Sequence, residues 1–70
     1  MSATTPERLV YMANQIAANL ALDPDPVRAV AEHIHAFWTT AMQRTLIAEA
    51  LDRLGPVARA AMTQLGSDAG

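Results

Sequence analysis

Four prolines divide this 70-residue chain, and their positions constrain its fold more than any other feature. A proline ring fixes φ near about −65° and removes a backbone donor, so proline fits the first turn of a helix and disrupts a helix interior. Pro6, Pro26 and Pro56 can therefore each open a helix, while Pro24 falls in the linker "LDPDPV". No segment shows the period-two alternation of a strand, and there is no internal repeat or low-complexity block.

The residues between the prolines support helices in detail. Thr5 stands as an N-cap, Pro6 follows at the first helical position, and Glu7 meets the positive end of the dipole. Leu9, Met12, Ala13, Ile16, Ala17 and Leu20 then recur at helical spacing and make one apolar face. Tyr11, Gln15 and Asn19 line one flank of it, and Asn14 lies on the other. Asp23 and Asp25 each precede a proline, which drives them from helical dihedrals and leaves Asp25 to cap a second helix. Val27, Val30, Ala31, Ile34, Phe37 and Trp38 form its apolar face.

A break follows at Thr39 and Thr40, and Thr40-Ala41-Met42-Gln43 fits a capping box for a third helix. That helix is expected to bury Leu46, Ile47, Ala50 and Leu54, with Leu51 at the edge and Glu49 and Arg53 as an i,i+4 pair. Gly55 and Pro56 end it. A last helix turns Val57, Ala61 and Leu65 inward and stops at Gly66. The expected architecture is all-α, a small bundle of three to four short helices. One helical domain covers residues 6–65, between a disordered N-terminus at 1–5 and a disordered tail at 66–70.

A chain this short buries little surface, and domains of this size usually rely on disulfides, metal, self-association or a partner. Cysteine is absent, which removes disulfides, thiolate zinc sites and iron–sulfur ligation by this chain. Alanine inflates the 51% hydrophobic fraction without adding much core volume. Five arginines against seven acids give a net charge of −2 and no basic stripe, so nucleic acid is not the expected partner. No apolar run reaches the roughly 18 residues of a membrane span, and the first residues lack the pattern of a secretory signal. The expected location is cytoplasmic.

Chemistry-bearing residues concentrate in "EHIHAFW", residues 32–38. His33 and His35 stand about 200° apart round a helix and cannot ligate one ion from one face. His35 has Glu32 three residues back, an ordinary surface pairing. His33 has Ala29 and Phe37 at its i±4 positions, so it sits on an apolar flank. There it either bonds to another helix of this chain or meets a partner. Phe37 and Trp38 lie about 100° apart on a helix. Either both fill the core, or one fills it while the other reaches the edge as a binding anchor. Met12, Met42 and Met62 read as core filler.

Catalysis finds no support in the same inventory. The only serines are Ser2 and Ser67, the acids are scattered, and all three glycines lie after residue 54, which excludes a glycine-rich phosphate loop.

In order and spacing, "ERLVYMANQIA", "EHIHAFW", Met42 and "LGPVARAAMTQL" resemble a known family, the small delta subunit of the NAD-dependent, molybdenum-containing formate dehydrogenase. The resemblance covers roughly residues 7 to 65 and rests most on "MANQI" followed by "HIHAFW". Thr39-Thr40-Ala41-Met42 departs from the aspartate, proline and arginine that the family tends to place before the methionine.

The resemblance implies a non-catalytic accessory subunit that binds the catalytic alpha subunit and supports its assembly, cofactor maturation or stability. It implies no cofactor on this chain, with a molybdenum pterin cofactor, iron–sulfur clusters and FMN on partner subunits. It marks Met12, Asn14, Gln15, His33, Phe37, Trp38 and Met42 as signature or partner-contact positions. Two alternatives stand beside it. One is a free-standing helical interaction module, a homodimer when isolated. The other is a chaperone that handles the molybdenum cofactor directly, for which no phosphate-binding sequence speaks.

Overall fold

Helices begin where the caps and prolines put them. The computed structural model describes residues 5–69, with side chains to Ser67; residues 1–4 and Gly70, on which part of the expected end disorder falls, lie outside the described residues. Helix α1 spans Pro6–Asn19, α2 Pro26–Phe37, α3 Thr40–Ala50 and α4 Pro56–Ala69, with a single 3-10 turn at Leu51–Arg53 between the last two. The Thr5 hydroxyl accepts from the Arg8 N–H at 3.3 Å, and the Asp25 carboxylate accepts from the Arg28 N–H at 3.3 Å. Asp25 in turn donates its own N–H to Asp23 Oδ1 at 2.9 Å, a local turn that folds the linker between the two prolines.

The third helix is capped by Thr39 and not by Thr40. Trp38 leaves α2 with extended dihedrals, φ −98° and ψ 146°, and Thr39 continues extended at φ −71° and ψ 159°. An N-cap needs that non-helical backbone, whereas Thr40 is already the first helical residue. The Thr39 hydroxyl accepts from the Met42 N–H at 3.1 Å. Gln43 does not complete the expected box; its amide donates to the Trp38 carbonyl at 3.3 Å and ties the turn to the end of α2. Thr39→Ala is expected to lower the unfolding free energy by about 1 kcal/mol, with no comparable loss for Thr40→Ala. Urea unfolding followed by circular dichroism checks this, and the reverse order would return the cap to Thr40.

Two further expectations are corrected. Glu49 and Arg53 do not pair, because α3 ends at Ala50 and the 3-10 turn that follows removes the i,i+4 geometry. Among the described residues the ion pair is Arg28–Glu32 at 3.0 Å, which also takes Glu32 away from His35. The hydrogen bond that Arg28 donates to Glu32, then the charges of Glu32 and Asp25, raise the Arg28 pKa. Both side chains are exposed, so solvent screens the pair and it adds little stability. Nor does Gly66 stop α4, which runs on to Ala69. No described glycine has positive φ, so the left-handed cap is not made. A Cβ placed on Gly66 would meet Ile47 Cδ1 at 3.5 Å, and the helix docks there despite glycine's cost of about 1 kcal/mol in a helix interior.

The core is apolar throughout. Leu9 and Ala13 of α1, Val30, Ala31, Ile34 and Trp38 at α2, Leu46, Ala50 and Leu54 around α3, and Ala58, Ala61, Met62 and Leu65 of α4 are buried, and among the described residues no polar side chain joins them. Each fully buried leucine or isoleucine contributes about 1.5–3 kcal/mol relative to an exposed one. Helix α2 packs most extensively on α4, and α1 on α3. On α4 the buried stripe is 58, 61, 62 and 65, with Val57 only half-buried. Ala58 was not expected there, because an alanine carries too little side chain to mark a face. The radius of gyration, 10.8 Å, matches the roughly 11 Å of a compact chain of this length. No helix among the described residues is long and apolar enough to cross a membrane.

Candidate interaction groove

The end of α2 separates its two aromatic neighbours. Ile34 and Trp38, four residues apart, share a face, and both are buried, Trp38 to 7% exposure. Phe37, expected on the same apolar face, is instead 74% exposed. It is the last helical residue and stands about 100° round from the buried stripe, while the extended backbone at Trp38 begins the turn toward α3. The Phe37 ring packs on His33, centroids 4.8 Å apart and tilted by 41°. His33 is thus partnered within α2 by the tilted Phe37 ring.

This aromatic pair forms one wall of a shallow groove of about 480 Å³. Helix α1 supplies the opposite wall through Tyr11, Met12, Gln15 and Ile16, two i,i+4 pairs that make a single stripe. His33, Phe37 and Trp38 come from α2, and Met42 from the start of α3. The Gln15 amide donates to the Tyr11 hydroxyl at 3.3 Å along the rim. Six of the seven candidate positions, Met12, Gln15, His33, Phe37, Trp38 and Met42, therefore converge from three helices. Tyr11 and Ile16 also belong to the groove. Their i,i+4 relation to Gln15 and Met12 is the signal that could have included them. Met62 is core as expected, but Met12 and Met42 are only half-buried and line the groove as well as packing on the core.

Asn14, the seventh candidate, faces elsewhere and serves the fold. Its side-chain oxygen accepts from the Gly55 N–H at 3.0 Å, joining α1 to the turn before α4 across 41 residues of sequence. An ideal Cβ on Gly55 would stand 3.5 Å from that oxygen, so the two backbones approach closely here.

A second hollow, about 670 Å³, opens on the other side of Trp38 between Arg28, Glu32, His35, Thr40, Gln43 and Gln64. Its two charged residues pair with one another. Among the described residues no three histidine or acidic side chains come together as a cation site.

The groove presents two thioethers, three aromatic rings, an aliphatic side chain, one amide and one imidazole. Such a set offers apolar contact area with a few polar groups at its edge, the makings of a binding surface. Neither the curated proteins nor the solved structures compared with the chain gave a match. A family model matches residues 8–62, a span that contains the whole groove and both partners of the Asn14–Gly55 bond. That model describes the NADH-dependant formate dehydrogenase delta subunit FdsD, and the chain belongs to this family.

Proposed function

We propose that this chain is the non-catalytic accessory subunit of an NAD-dependent molybdenum formate dehydrogenase, binding the catalytic alpha subunit and supporting its assembly, cofactor maturation or stability. The family match over residues 8–62 carries the proposal. The chemistry of the chain agrees with it. A cysteine-free chain offers no thiolate for an iron–sulfur cluster, and among the described residues the buried core holds apolar side chains only. The molybdenum pterin cofactor, the iron–sulfur clusters and FMN then belong to the partner subunits.

The test is to produce the enzyme's other subunits with and without this chain, then measure formate-dependent NAD reduction and the molybdenum content of the catalytic subunit. Omission is expected to lower the yield of active, molybdenum-loaded enzyme several-fold, and co-production of the chain to restore it. Enzyme that assembles, loads and turns over equally well without the chain would sink the proposal.

A further inference from the structure

We infer that the groove between α1 and the end of α2 clasps one uncharged, apolar face of a helix belonging to another subunit of the same enzyme. The inference rests on the accessory-subunit reading and adds to it the surface and the kind of segment that surface takes. No aspartate, glutamate, lysine or arginine side chain lines the groove. A carboxylate or ammonium entering it would lose water without meeting an opposite charge from an acidic, lysine or arginine side chain, so the matching surface is neutral.

The occupant's backbone must also be satisfied. The polar groups of the groove's lining side chains are the Tyr11 hydroxyl, the Gln15 amide, the His33 imidazole and the Trp38 indole N–H, and the first two already bond to one another. An extended segment would bring a row of backbone donors and acceptors to helices that offer no strand edge and only these few side-chain groups to pair them, whereas a helix keeps its own hydrogen bonds internal. The wall from Tyr11 to Ile16 rises about 7.5 Å, enough for anchors on one or two turns.

A second copy of this chain does not meet these requirements. The large exposed hydrophobics among the described residues are Tyr11, Leu22 and Phe37. Two of them are walls of the groove itself, and Leu22 sits in the turn after α1, not on a helix. Among the described residues, then, no large exposed hydrophobic outside the groove stands on a helix that a copy could offer. A two-fold contact would also set concave surface against concave surface and leave it unfilled. A standard interface needs about 800 Å² per partner. That would be roughly a sixth of the 4495 Å² this chain exposes, far more than the groove supplies to a self-contact. A larger partner can reach that area by surrounding the groove as well as entering it.

The complete enzyme, co-produced with tagged full-length chain, tests the inference through the amount of the other subunits retained on the tag. Phe37→Asp and Tyr11→Asp change exposed walls of the groove, and Leu22→Asp changes an exposed residue outside it; thermal melts confirm that each variant folds. Retention is expected to fall at least about tenfold for the two wall variants and to hold for Leu22→Asp. A photo-crosslinking residue in place of Gln15 is expected to capture a peptide of another subunit with apolar residues at i, i+3 and i+4. Wall variants retained as well as wild type would overturn the groove while leaving the accessory-subunit reading intact. So would a captured peptide that is charged or lacks helical spacing, or one that comes from a second copy. If the unmodified chain itself retains no other subunit, that reading fails, and the inference falls with it.

Discussion

Trp38→Ala is expected to leave the chain largely unfolded at 25 °C. The indole is buried with Ile34 and closes the end of α2 against the core. Truncating a buried aromatic to alanine costs about 3–5 kcal/mol, from lost burial and the cavity left behind. A single core in a chain of this size rarely supplies more than about 3–5 kcal/mol in total. The variant should therefore show little of the wild-type helical signal and no cooperative melt, while Trp38→Phe keeps a ring and loses less. Phe37→Ala, one residue away but exposed, should melt close to wild type. Circular dichroism melts of the three variants check this. A cooperative, wild-type-like transition in Trp38→Ala would show that the indole is not part of the core. A practical consequence is that loss of partner binding in Trp38→Ala reports on folding, whereas the same loss in a Phe37 variant reports on contact.

Asn14→Ala is the second large effect. It removes the acceptor of the Gly55 N–H, in the one side-chain hydrogen bond among the described residues that joins distant parts of the sequence. Leaving a partly buried amide unpaired costs about 1–3 kcal/mol. On a domain this small, each kcal/mol lowers the melting temperature by about 4–8 °C. Asn14→Asp keeps an acceptor oxygen at the same place and should lose less than alanine. Urea titrations of the two variants give the comparison. Equal losses would mean that the oxygen is not what matters. Because Asn14 lies outside the groove, retention of partner subunits by folded Asn14→Asp should match wild type.

Much of this was legible from local rules. The helix starts at Pro6, Pro26 and Pro56 follow from proline's fixed φ, and the caps at Thr5 and Asp25 from short polar side chains beside exposed backbone N–H groups. Ile34 and Trp38 share the core face because residues four apart share a face in any helix. Where such a rule offered two equivalent candidates, it could mislead. Thr39 and Thr40 both qualify as caps by type, and the choice fell to the dihedrals that the turn out of α2 imposes. Gly66 has the composition of a helix stop, yet α4 continues because its packing on the bundle outweighs a local preference of about 1 kcal/mol.

The sequence by itself determined the class of the molecule, the helix starts at Pro6, Pro26 and Pro56, and the short set of residues worth watching. Only the tertiary structure divided that set, sending Asn14 to Gly55 and bringing Met12, Gln15, His33, Phe37, Trp38 and Met42 to one groove. The physical reason is range. Helical periodicity and capping act over three or four residues and can be read within a segment. Which flank of α1 faces the end of α2, and which faces the turn before α4, depends on how four helices share one small core, and no single segment carries that information.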